Sequence, residues 1–154
     1  MGYMSSELKN KLPSMNITVY DLSKVVKIGK ELHKNINFIE GNFFNDWLAP
    51  ISKCSTILFK SVLHDHDDNT VLKLLLESSK KCENIIICEV MENIEDIRWE
   101  DPYFRYLIPF YSNKFGTFRN SEKYNELLNK VNMKVSEVKV IEKSHYTILN
   151  CTKS

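Results

Sequence analysis

Apolar residues recur along this chain with two alternating spacings, which predict helices and strands in turn. Residues 5–12 carry a helical pattern that stops near Pro13. Residues 16–20, Asn-Ile-Thr-Val-Tyr, are a β-branched and aromatic run ending at Asp21 and predict a strand. Leu22, Val25, Val26, Ile28 and Leu32 return at helical spacing, and residues 36–40 alternate as a second strand closed by Gly41. A third strand is predicted over 55–62. A helix follows over 71–80, with Leu72, Leu75 and Leu76 inward and Asp67 or Asp68 as its N-cap. Residues 84–91 form the most continuous apolar run, as suits a central strand covered on both faces.

Residues 92–115 are irregular and aromatic, with Trp99, Tyr103, Phe104, Tyr106, Phe110, Tyr111 and Phe115. A helix returns over 121–131, with Ser121 as its cap and Tyr124, Leu127, Leu128 and Val131 inward. Two strand-like stretches, 134–141 and 146–151, close the chain. Strands alternating with helices imply βαβ units and a mostly parallel sheet. Two consecutive strands at the end imply one antiparallel strand, expected at an edge. Residues 1–154 show no internal repeat or linker and predict a single α/β domain.

Composition narrows the function classes. The 21 basic and 20 acidic residues leave a net charge of +1, which gives no reason to expect a nucleic-acid partner. Arg98, Arg105 and Arg119 do not cluster. Cys54, Cys82, Cys88 and Cys151 include no C-x-x-C pair, and no His or second Cys stands at zinc-ligand spacing, so no metal is expected. Reduced core thiols and a cytoplasmic setting are expected instead. No apolar stretch of membrane-spanning length occurs, so no membrane partner is expected.

Doubly wound sheets bind ligands beyond the carboxyl ends of their strands, so the residues just past each strand are the candidates. Asp21 can accept hydrogen bonds from both hydroxyls of a ribose, or cap the next helix. In Glu40-Gly41-Asn42-Phe43-Phe44, an amide beside an aromatic can meet an adenine, although a Gly-Asn turn with core phenylalanines has the same sequence. His64, in the run Lys60-Ser61-Val62-Leu63-His64-Asp65-His66, can act as a general base near neutral pH or be an ordinary surface histidine. Glu89 lies inside the apolar run, where a carboxylate is costly unless paired or facing a cleft. Paired with His64, it would orient the imidazole and stabilise its charged form.

Residues 57–68, Ile-Leu-Phe-Lys-Ser-Val-Leu-His-Asp-His-Asp-Asp, are similar to a strand-end pattern of Lys followed by Leu-His-Asp-Trp. Together with residues 19–22, 40–44, 86–89 and 116–128, in the same order and spacing, they resemble the S-adenosylmethionine-dependent O-methyltransferases. That family includes the plant caffeate, flavonoid and acetylserotonin enzymes. The resemblance spans nearly the whole chain, which corresponds to the C-terminal catalytic half of a full-length member. It implies a class I, Rossmann-like methyltransferase fold, S-adenosylmethionine as methyl donor and a small phenolic or other hydroxyl acceptor. It implies donor contacts from Gly2, Asp21, Leu22, Asn42, Phe43, Lys60 and Ser61, with Asp21 on the ribose. His64 would be the general base, Asp65 and Glu89 would hold it, and residues 99–115 would form the acceptor pocket.

Four departures qualify that resemblance. The family's second supporting glutamate, in a Gly-x-Glu-Arg segment, is Phe118 here, and the Trp after His-Asp is His66. The family carries Asp where this chain has Asn42. The family's first strand and Gly-rich turn would precede Met1, with Gly2 as that turn's last glycine. The absent strand would lie between those ending at Asp21 and Lys60 and would leave unpaired strand edges. The expectation is therefore a partial catalytic domain working as a homodimer or taking a strand from another chain segment. The competing expectation is a catalytically inactive, methyltransferase-like fragment that serves as a binding or assembly module. A nicotinamide-dependent protein ranks lower, because the chain has no G-x-G-x-x-G.

Overall fold

The computed structural model describes residues 2–46, 51, 53–90, 117–141, 144 and 146–154. The expected aromatic pocket at 99–115 lies outside the described residues. The chain divides into two compact units, Met1–Ser52 and Lys53–Ser154.

The first unit runs α1 (Tyr3–Lys11), β1 (Thr18–Asp21), α2 (Ser23–Leu32), β2 (Asn37–Glu40) and the single turn α3 (Phe43–Asp46). The strands β1 and β2 pair in parallel, from Thr18 opposite Asn37 to Asp21 opposite Glu40. A parallel pair needs a crossover, and α2 supplies it. Its residue Val26 packs with Ile36 and Phe38, and Ile17 and Val19 close on the same small core. Gly29 makes this approach possible, because a Cβ there would run into the Phe38 ring. Gly2, at φ 70°, takes the left-handed conformation as the N-cap of α1, which glycine adopts without steric cost.

The second unit runs β3 (Thr56–Lys60), a 3-10 turn at Leu63–Asp65, α4 (Asp68–Ser79), β4 (Asn84–Val90), α5 (Ser121–Asn129), β5 (Met133–Val140) and β6 (Tyr146–Lys153). Its sheet has the order β3-β4-β6-β5. β3 and β4 are parallel, and β6 runs antiparallel to both β4 and β5. The apolar run at β4 is therefore interior, as its sequence predicts, with Ile85 and Ile87 fully buried.

One strand opposes the others, but it is β6, placed between β4 and β5 rather than at the edge. Burial explains the choice. β6 alternates buried and half-buried residues almost throughout, whereas β5 is exposed beyond its first residues. The more apolar arm of the hairpin takes the inner position, and the Lys- and Glu-bearing arm takes the rim. β5 also carries a β-bulge between Val135 and Glu137, and the Ser136 hydroxyl donates to the Asn150 carbonyl at 2.9 Å.

The two helices of this unit show a second set of corrections. On α4 the buried residues are Val71, Leu74, Leu75 and Ser78, while Leu76 is 40% exposed, so the inward face is rotated from that expected. Asp67 is the cap, its carboxylate accepting from the Thr70 N–H at 2.8 Å. On α5 the expected inward residues are buried, but the cap is Asn120 rather than Ser121. Among the described residues, no helix is long and apolar enough to cross a membrane. Cys82, Cys88 and Cys151 are buried free thiols, and Cys54 is a half-buried one. Burial pushes the thiols of Cys82 and Cys151 up to about 11 and about 12.

Candidate active site

The carboxyl ends of β3 and β4 bring Lys60, Ser61, His64, Asp65 and Glu89 together. Glu89, on β4, is 1% exposed, and each of its oxygens has protein donors. Oε1 accepts from the Val62 and Leu63 N–H groups, both at 2.9 Å. Oε2 faces His64 Nδ1 at 2.5 Å. These charge-assisted bonds offset the cost of withdrawing the carboxylate from water. A carboxylate only accepts, so Nδ1 carries the hydrogen, and in the neutral imidazole Nε2 is then the nitrogen with the lone pair.

His64 has a side chain 11% exposed on the 3-10 turn. Burial pushes its pKa down, but the hydrogen bond and charge of Glu89, aided by Asp65, outweigh this and raise it above the ordinary 6.5. His66 moves the other way, because burial dominates there. Asp65 Oδ1 lies 3.4 Å from Nε2 and is 57% exposed, a looser approach than that of Glu89. Of the two carboxylates expected to hold the base, Glu89 makes the short buried bond.

Ser61 leaves β3 at φ 52°, an uncommon conformation for a non-glycine residue. Its hydroxyl pairs with that of Tyr146 at 2.9 Å, and the Lys60 ammonium sits 4.6 Å from the Tyr146 ring centroid. Phe118 packs with Tyr146 against Val90, so at this position an apolar contact stands where the family resemblance implies a glutamate.

In the first unit, Asp21 and Asn42 lie at the carboxyl ends of the neighbouring strands β1 and β2. Asp21 does not cap α2, whose N-cap is Leu22 with no side-chain cap bond; its Oδ1 accepts from the Leu22 N–H at 2.7 Å. Asn42 Oδ1 accepts from the Phe44 N–H at 3.0 Å, so this residue does make a local turn. Phe43 is half-buried and Phe44 54% exposed, so these rings are not buried in the core. A Cβ at Gly41 would strike the Tyr20 hydroxyl, which explains the glycine there.

Among the described residues, two outside the candidate set bond to its members or to the turn that carries the base. Tyr146 is one. The other is Arg119, whose side chain is 0% exposed. It donates to the carbonyls of Leu63 (3.1 Å), Thr117 (3.1 Å) and His66 (2.7 Å) and to Asp68 Oδ1 (2.8 Å). Its one sequence signal is its place within the stretch 116–128.

The model of the O-methyltransferase domain family matches residues 1–133. The acetylserotonin O-methyltransferase of Gallus gallus is 28% identical over 156 residues, which cover 96% of this chain and 44% of the relative. The eugenol O-methyltransferase of Ocimum basilicum is 36% identical over 86 residues, covering 56% of this chain and 22% of the relative. Human N-acetylserotonin methyltransferase, solved in complex with SAM, matches with a TM-score of 0.81 at 25% identity, over 99% of this chain and 45% of that one. The chain thus spans less than half the length of these relatives.

Proposed function

The chain belongs to the O-methyltransferase domain family, with the α/β architecture of class I methyltransferases, and on that premise we propose that it is the catalytic portion of an S-adenosylmethionine-dependent O-methyltransferase. The acceptor in this reading is a small phenolic or other hydroxyl compound. The observation that carries it is the imidazole of His64 held through Nδ1 by the buried Glu89 carboxylate at 2.5 Å.

S-adenosylmethionine, when bound, supplies a methyl group already activated by its positively charged sulfur. The residues of the first unit fit such a donor, because Asp21 and Asn42 offer polar side chains at the carboxyl ends of adjacent parallel strands. Gly2, Leu22 and Phe43 are the other donor contacts proposed in this unit; the family resemblance is what proposes Lys60 and Ser61 for the same role. His64 Nε2 removes the proton of the acceptor hydroxyl. Glu89 fixes the tautomer that leaves Nε2 basic and steadies the imidazolium that results. Asp65 contributes a weaker, solvent-screened field. Because Glu89 and Asp65 raise the pKa of His64, turnover rises with pH through a midpoint above 6.5. The free thiols support a reducing, cytoplasmic setting. The family resemblance alone supports a homodimer.

A second reading, a non-catalytic binding or assembly module, draws support from Phe118 and from Asn42, whose amide oxygen is turned to its own loop. Calorimetric titration of the full-length protein with S-adenosylmethionine separates the two, and absence of binding heat removes the enzyme reading. His64→Ala is expected to lower turnover roughly 100- to 10,000-fold while donor affinity stays near that of the parent. A parallel loss of both contradicts the role of base.

A further inference from the structure

The turn that presents His64 is short, and a three-residue 3-10 segment has few bonds of its own to hold it. It is held instead from two sides. From β4, Glu89 takes the amide hydrogens of Val62 and Leu63. From the segment before α5, the Thr117 N–H donates to the His64 carbonyl at 2.8 Å. Arg119 takes the carbonyls of Leu63 and His66, which bracket His64 in the chain. Its Nε also reaches Asp68, the first residue of α4, so one guanidinium ties the turn to the helix that follows it. Tyr124, 1% exposed, lies beside this group, with the guanidinium carbon 5.9 Å from its ring centroid.

We infer that Arg119 is a positioning residue for the base, fixing the turn so that the His64 imidazole meets Glu89. The assignment rests on the reading of His64 as general base. Fork geometry is what the site requires. The four bonds leave from Nε, Nη1 and Nη2 toward three carbonyls and a carboxylate, directions that a lysine ammonium does not reproduce. Charge alone is therefore an insufficient substitute, and Arg119→Lys separates charge from geometry.

Among the described residues, the charged and titratable groups acting on the imidazole include Glu89 from β4, Asp65 within the turn and Arg119, with His66 nearby. Arg119→Lys preserves the formal charges among them. Any change in His64 titration then reports the His64–Glu89 geometry. NMR titration of 15N-labelled histidine in the full-length protein reads this directly. Arg119→Lys is expected to bring the His64 midpoint down toward 6.5, the value for an unperturbed histidine. It is also expected to lower kcat roughly 10- to 100-fold while the donor KM stays near that of the parent. A role in stability alone would lower the unfolding temperature and leave the midpoint of the folded molecules unmoved; that result overturns the assignment.

If Arg119→Lys fails to fold, Asp68→Ala replaces it, because that carboxylate is 40% exposed and the capping residue Asp67 remains. A smaller downward movement of the His64 midpoint is expected, and an unchanged midpoint overturns the assignment. Absence of methyl transfer in the parent protein would remove the proposed reaction, whereas the NMR arm would still decide whether Arg119 orients His64.

Discussion

The strand ends of the first unit and the turn after β3 both present polar side chains, but they hold them in opposite ways. In the first unit, Asp21 bonds to the next residue and Asn42 to the residue two further on. In the second, His64 is met by a glutamate 25 residues away, and its turn is clasped by an arginine 53 and 56 residues from the two turn carbonyls it binds. Local bonds form wherever the loop itself forms. Long-range bonds exist only when β3, β4 and the segment before α5 are all in place. Groups suited to hold a ligand can thus survive partial loosening of the chain, whereas the proposed base depends on the completed sheet.

The strongest way to break this contrast is Glu89→Ala, which leaves two amides and an imidazole without their shared acceptor. Removing one member of a buried pair is expected to destabilise the second unit by about 3 kcal/mol, as measured by urea unfolding. The same variant changes the pH dependence. In the parent protein the folded pKa of His64 is raised above 6.5, so its stabilisation is complete below 6.5 and is lost as pH climbs through the folded midpoint. Glu89→Ala flattens that slope.

A smaller effect tests the local turn. Gly41→Ala forces the Tyr20 ring aside and is expected to cost about 2 kcal/mol in thermal unfolding, with weaker donor binding but an unaltered His64 titration. A shifted His64 midpoint in this variant would contradict the local character of the Asn42 turn. The smallest effect is that of Asn42→Ala, which removes one short-range turn bond and is expected to cost about 1 kcal/mol by the same measurement.

What the sequence reveals follows the same division. Strand ends, an aspartate cap at 67 or 68 and the carboxylate of Glu89 within an apolar run carry local or chemical signatures, and the cap is found at Asp67. The inward face of α4 does not, because Val71, Leu72, Leu74, Leu75 and Leu76 form an apolar band too broad to point one way. Packing selects the side that also buries Ser78. Asn120 and Ser121 are adjacent and chemically equivalent as caps, so spacing cannot choose between them. The inner place of β6 emerges only when the two arms of the hairpin compete for β4. Arg119 is hard to read from sequence because its hold on the turn is made with Leu63, His66 and Asp68, all distant in the chain.

The bulge on β5 has a consequence at the rim of the four-stranded sheet. An edge strand presents unpaired amides and carbonyls that could template the addition of a foreign strand. The misaligned step between Val135 and Glu137 interrupts that template, and Lys134, Glu137 and Lys139 line it with charge. This margin is therefore a poor seed for fibrillar growth, even though Val138 and Val140 are half or more exposed there.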